Sequence, residues 1–189
     1  IKEFMTVKPF SEFFLKLNFY TTTIDSIGNY SKLARKACPM GDKYIFFVNV
    51  QYRSFAYYGG DAIVFLKEGQ GLEEYLTIHE FGHSFCRLAD EYVYTPVDDP
   101  DFFSNGQQVF DPSEKLNCFK EIDVCQNAFN SSLSSLWLET VGMPNCEKGC
   151  SYENYLRQWE NSIMRDHRQT HKFYPASYKA CYDILRGYS

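Results

Sequence analysis

The stretch Leu76 to Tyr92, LTIHEFGHSFCRLADEY, constrains the fold of this chain more than any other segment. Ile78, Phe81, Phe85 and Leu88 recur at three- and four-residue steps, the period of an α-helix with one apolar face. That face suits packing under a sheet, and Gly82 lets a neighbouring group come close. His79 and His83 stand four residues apart, so on the same helix both imidazoles project from one side. Any fold must therefore bury a mid-chain helix and leave its two histidines facing a common point.

The flanking sequence supplies layers for such a helix. Phe13 to Ile24, FFLKLNFYTTTI, is β-branched, aromatic and partly alternating, which predicts a strand. Asp25 to Gly41 predicts a helix of about three turns, because Ile27, Tyr30, Leu33, Ala34 and Ala37 fall at helical spacing before Pro39 and Gly41 end the pattern. Lys43 to Gln51 is a nearly continuous apolar run and reads as a buried central strand. Gly59-Gly60 marks a turn or bulge, Ala62 to Leu66 a further strand, and a long helix then runs from about Leu72 through the histidines. This is an α/β layer. Beyond Tyr92 the pattern weakens: Val97 to Gln108 is turn-rich and acidic, and Glu114 to Val141 suggests one or two short helices. Pro175 to Tyr188 predicts a terminal helix packed by Tyr178, Cys181, Tyr182 and Leu185. With 189 residues, the chain suits one domain of two lobes, about 1–90 and 91–189.

Composition narrows the function classes. Hydrophobic residues make up 44% and aromatics 18%, enough for a real core and against disorder. Net charge is -5 with no basic run, which speaks against nucleic acid or an anionic membrane as partner. No apolar stretch reaches 18 residues, so no membrane span is expected. The chain starts at Ile1 without a signal-peptide pattern and reads as a mature product or an excised domain.

Of the seven cysteines (Cys38, Cys86, Cys118, Cys125, Cys146, Cys150 and Cys181), five follow residue 115, where loop-like sequence is densest. That predicts disulfides bracing an irregular lobe, and hence a secreted or extracytoplasmic protein. The rival is a zinc–thiolate site at Cys146 and Cys150, but no second pair of similar spacing follows. The sequons Asn29-Tyr30-Ser31 and Asn130-Ser131-Ser132 lean towards a glycoprotein. An odd count leaves one thiol over, and Cys86, inside the histidine helix, is the expected free and buried one.

The chemistry of the histidine helix is specific. His79 and His83 can present ring nitrogens to one Zn2+ ion, while Glu80, rotated by about 100°, lies beside a water on that ion. Zinc brings the pKa of such a water towards neutrality, and Glu80 can take its proton during attack on a carbonyl and return it to the leaving amine. The third ligand is not fixed by spacing. In a straight helix Asp90 would sit about 10 Å along the axis from His83, too far to share a metal. Either the helix ends near Arg87 and the chain folds back, bringing Asp90 or Glu91 to the ion, or the ligand is remote. Two carboxylates at a helix C-terminus are electrostatically disfavoured there, which favours a cation-binding role.

At HEFGHSFCRLADEY, His79 to Tyr92, the chain resembles the igalysins, the IgA-peptidase-like family of metzincin zinc metallopeptidases. The resemblance extends over Pro9 to Ser26, Leu33 to Tyr52 and Tyr57 to Gly60, and Asn161 to His167 looks like the metzincin Met-turn. It implies an α/β (α+β) metzincin-like fold: an upper lobe with a twisted mixed sheet, a backing helix and the active-site helix, and an irregular lower lobe with a Met-turn and C-terminal helix. It implies Asp90 as third zinc ligand and Met164 as the hydrophobic floor beneath the histidines. An extended polypeptide substrate would pair with an edge strand near Tyr57 to Phe65. The chain departs from the family in two places. Arg87 replaces the glycine that usually ends the helix, and Asp166 stands where some metzincins carry a tyrosine that steadies the transition state. His167, His171 and Tyr174 are the candidates for that second role, and backbone groups near Gly59 and Gly60 for aligning substrate.

The expected function is zinc-dependent endopeptidase activity with Glu80 as general base and acid. The alternatives are a metzincin-like binding or adhesion module and a hydrolase of non-protein amides. Oligomeric state and natural substrate are not legible in the sequence, because pocket shape sets specificity.

Overall fold

The computed structural model describes residues 1–23, 30–49, 54–66, 73–97, 103–104, 107–108, 110–128 and 145–188. These form a mixed α/β structure with small sheets, several helices and three disulfides. The two sequon asparagines, Asn29 and Asn130, and Leu72 lie outside the described residues.

A short helix, α1 (Lys2–Thr6), opens the chain, followed by two 3-10 turns, Phe10–Glu12 and Phe14–Lys16. The strand expected at Phe13 to Ile24 is corrected here: the described part is a 3-10 turn and then irregular chain to Thr23. Its aromatic residues have a different use, since Phe13, Phe14 and Leu17 pack on the main apolar cluster around the buried Phe4, Val7 and Phe10. Strand propensity measures fit to a half-buried pleated surface, and here the aromatics find that burial without pleating.

Helix α2 (Tyr30–Ala37) is the described part of the predicted second element. Arg35 of α2 reaches both carboxylate oxygens of Asp61, at 3.1 and 3.2 Å, and Ser31 Oγ donates to the same group at 2.7 Å. Strands β1 (Ile45–Val48), β2 (Phe55–Ala56) and β3 (Ala62–Phe65) form a mixed sheet in the order β1-β3-β2. β3 runs parallel to β1, with Ile45 opposite Ala62, and antiparallel to β2, with Phe55 opposite Ile63. Ala62 to Phe65 is therefore central rather than an edge, whereas the buried central strand expected at Lys43 to Gln51 is, in its described part, the half-buried outer strand β1, where Phe47 is exposed because only one neighbour covers it among the described strands. Among the described strands the edge next to β3 is β2, and Tyr57 to Gly60 is the turn between the two, with Gly59 at φ 73°.

Helix α3 (Leu76–Cys86) starts four residues later than the sequence suggests. Its first turn is held by Glu3, whose Oε1 accepts the Tyr75 N–H at 3.1 Å. Every residue from Thr77 to Cys86 is buried. The apolar face packs largely against the chain ends, with Ile45 of β1 on the same cluster. Phe81 stacks on Phe85 and both meet Phe10, which also meets Phe173. The sheet packs on the same helix through β3 and β2.

The second half holds a two-stranded pair, β4 (Phe103–Ser104) with β5 (Gln107–Gln108), and a short helix, α4 (Ile122–Asn127). A hairpin follows, β6 (Glu147–Cys150) with β7 (Tyr152–Arg157). Helix α5 (Pro175–Gly187) closes the chain at the predicted place, with Pro175 in its first turn. Tyr178 of α5 donates to Glu12 Oε2 at 2.6 Å, so the two chain ends share one core.

The disulfides are Cys86–Cys181, Cys118–Cys150 and Cys125–Cys146. The cysteine left over is Cys38, just after α2, and not Cys86. Cys86 sits in the last turn of α3 facing α5, where Cys181 lies with its Cα 4.8 Å away. Cys146 and Cys150 belong to different bridges and make no thiolate pair.

Candidate metal centre

The geometry turns on how α3 ends. Arg87 adopts the left-handed conformation, φ 58° and ψ 33°, and the Arg87 and Leu88 N–H groups bond back to the carbonyls of His83 and Gly82. This stops the helix at Cys86 and reverses the chain, as the reach argument requires. A non-glycine residue there costs about 1 kcal/mol or more. The fold-back carries Asp90 to the histidines, so the 10 Å obstacle of a straight helix disappears.

Asp90 Oδ1 lies 3.1 Å from His79 Nε2 and 3.2 Å from His83 Nε2, and the two Nε2 atoms are 3.3 Å apart. All three residues are buried. The tautomers follow from the other ring nitrogens. His79 Nδ1–H donates to the Ile163 carbonyl at 2.9 Å, and His83 Nδ1–H donates to the Leu88 carbonyl at 2.7 Å. A carbonyl only accepts, so each Nδ1 carries a proton and each Nε2 faces the centre, where the neutral ring offers a lone pair.

Three electron-pair donors thus form a nearly equilateral triangle. A tetrahedral zinc ion with bonds of about 2.0–2.1 Å needs ligands about 3.3 Å apart, so the N, N, O donor set fits such an ion. Without a metal, protons must do the neutralising. Burial works against a charged His83, but the Asp90 carboxylate outweighs it and lifts the pKa to about 9; His79 is raised by the same balance. Burial would raise Asp90, yet the two imidazoles hold it well below the usual carboxylate range. Glu80, itself buried, adds to the elevation of both histidines, which places its charge beside the cluster.

Glu91 points elsewhere. Its carboxylate accepts from Asn117 Nδ2 at 3.0 Å, from Ser177 Oγ at 3.0 Å and from Ser162 Oγ, and its N–H donates to the Met164 carbonyl at 2.8 Å. Burial raises its pKa against those three donors. Asn117 also exchanges two 2.9 Å hydrogen bonds with the Ala89 backbone, and Ser151 Oγ donates to the Asp90 carbonyl at 2.9 Å. Tyr94 donates its hydroxyl to Asp90 Oδ2, leaving Oδ1 turned to the histidines. Segment 89–91 is therefore clamped by six residues, Tyr94, Asn117, Ser151, Ser162, Met164 and Ser177.

Met164 is fully buried under α3, in the turn Ser162–Arg165. A Cβ on Gly82 would stand 2.7 Å from Met164 Sδ and 3.3 Å from Phe173, so glycine is what allows this approach. Of the other candidates, only His167 comes near: its ring centroid is 5.5 Å from that of His79, and its Nε2 is 3.1 Å from Glu73 Oε2. His171 stacks on Tyr75 at 4.1 Å, and Tyr174 stacks on Trp159 at 5.2 Å. The carbonyls of Gly59 and Gly60 already accept from Lys43 and Ser84, and the Gly60 N–H donates to Tyr57. The turn supplies a side chain instead. Tyr58 sets its ring edge-on to His83, with centroids 5.8 Å apart.

Asn117, Ser162, Ser177, Tyr94 and Tyr58 join the site without a sequence motif that marks them. Ser162 carried a weak signal, being two residues before Met164; the others carried none. The chain matches no protein-family model and no curated protein. Among the described residues, no helix is long and apolar enough to cross a membrane.

Proposed function

We propose that this chain is a zinc-dependent endopeptidase of metzincin, igalysin-like character. The observation that carries the reading is the Arg87 reversal, which sets Asp90 Oδ1 at 3.1 and 3.2 Å from two Nε2 lone pairs. The buried methionine beneath the histidines, at the place the Met-turn resemblance implies, supports the same reading.

His79, His83 and Asp90 would hold the ion. Zinc bound there would polarise a scissile carbonyl and acidify the attacking water. The chain's own part is positioning and proton transfer. Ile163 and Leu88 fix the ligand tautomers. Glu80 takes the proton of the attacking water and passes it to the leaving amine. The outer side of β2 offers backbone groups to an extended peptide. Three disulfides suit an oxidising, extracytoplasmic setting.

The test is Glu80→Ala. This variant keeps one zinc per chain and loses peptide hydrolysis; full hydrolysis by the variant would overturn the proposal.

A further inference from the structure

We propose that the cavity behind the Tyr57–Gly60 turn is a carboxylate-binding subsite, which receives an aspartate or glutamate side chain of the polypeptide substrate. This rests on the peptidase reading above and adds a substrate preference to it.

The cavity measures about 570 Å³. Three cations line it from three separate segments: Lys43 just before β1, Arg87 at the end of α3, and Lys115 just after the 3-10 turn Pro112–Glu114. The cavity is linked to the metal cluster through Lys115, which lines it, and Tyr58. The Lys115 ammonium lies 3.9 Å above the Tyr58 ring, and Tyr58 meets His83 in an edge contact with centroids 5.8 Å apart.

Arg87 is the central group. Its Nε lies 3.1 Å from the point a Cβ on Gly59 would occupy, so its side chain runs along the turn. Among the described residues, its guanidinium has no carboxylate within ion-pair distance. Glycine would occupy this left-handed position without strain, and a strained residue that keeps a charged side chain over a cavity points to use of that side chain.

Two carboxylates also line the cavity. Asp183 is engaged by Lys179, which leaves Glu114 as the other carboxylate of a lining that carries three cations. Burial depresses the Lys43 pKa, and the nearby Arg87 depresses it further although Asp61 opposes this. An incoming carboxylate relieves that repulsion and accepts from a planar guanidinium. Leu116 and Ile184 give the cavity apolar wall for the methylene stem of a glutamate.

The test uses two fluorescein-labelled decapeptide pools, identical except for Glu in one and Gln in the other. Binding to full-length Glu80→Gln protein is read by fluorescence anisotropy at low salt. The Glu pool is expected to bind at least tenfold more tightly, with the preference shrinking as salt rises. Arg87→Gly removes the cation and relieves the backbone, so it should melt no lower than the native chain while losing most of the preference; Lys115→Gln should lose part of it. Equal binding of the pools, or a preference unchanged in both variants, overturns the subsite. Cleavage of both pools at one rate with equal binding sinks the subsite and leaves the peptidase reading. Tighter binding of the Glu pool with cleavage of neither by the native protein does the reverse.

Discussion

Glu91 donates its backbone N–H to the carbonyl oxygen of Met164 at 2.8 Å, which ties the residue after the third candidate ligand to the floor of the site. Adjacent carboxylates thus have separate tasks. Asp90→Ala is predicted to weaken zinc binding by more than about 100-fold. Glu91→Ala strands the donors of Asn117, Ser162 and Ser177 in a buried place, and is predicted to lower stability by about 2–4 kcal/mol while zinc still binds. Urea denaturation and zinc titration on both variants separate the two roles. The assignment fails if Glu91→Ala loses zinc and Asp90→Ala keeps it.

The contact between Gly82 and Met164 gives a second prediction. A methyl group at residue 82 meets the sulfur at 2.7 Å and Phe173 at 3.3 Å. Gly82→Ala is expected to cost about 1–3 kcal/mol through overpacking, against the usual helical gain from alanine. Thermal denaturation reads the sign directly, and a stabilised variant would contradict the packing described.

The cysteine pairing is testable by alkylation and mass spectrometry. The unreduced protein should show one reactive thiol, in the peptide carrying Cys38. Loss of the Cys86–Cys181 bridge, which spans 95 residues of sequence, is predicted to cost about 4 kcal/mol, whereas Cys38→Ser should change stability little.

Zinc must displace protons from the cluster. With its pKa lifted to about 9 by Asp90 against burial, His83 is protonated at pH 7 in the metal-free protein. Affinity should therefore rise by up to about tenfold per pH unit for each displaced proton until pH 9 is reached. Calorimetry at pH 7 in two buffers of different ionisation enthalpy should show proton release. Metal-free stability has the opposite slope. The His83 contribution is fully present below its ordinary 6.5 and is lost as pH rises through about 9. Buffer-independent heats would contradict this.

The histidines and Glu80 were legible in the sequence because one helix places them by local spacing, and helical spacing is a property of neighbours. Asp90 was half legible. Its reach depended on a chain reversal at Arg87, a residue that does not advertise a left-handed turn as glycine would. The clamp of Asn117, Ser162 and Ser177 on Glu91 joins residues up to 86 positions apart, and no local pattern encodes it. The same limit misplaced the unpaired thiol. Burial in a helix suggested that Cys86 stands alone, whereas the partner it meets comes from α5. Phe13 to Ile24 misled for another reason. Its aromatics serve a core built from both chain ends, and that demand overrode the local strand pattern.

Anomalous scattering across the zinc edge, on crystals of the zinc-loaded chain, tests the central claim most directly. The account predicts one peak, about 2.0–2.2 Å from His79 Nε2, His83 Nε2 and Asp90 Oδ1, with Glu91 still bonded to Asn117 and Ser177. A peak ligated by Glu91, a peak away from the two histidines, or no peak at all would contradict it.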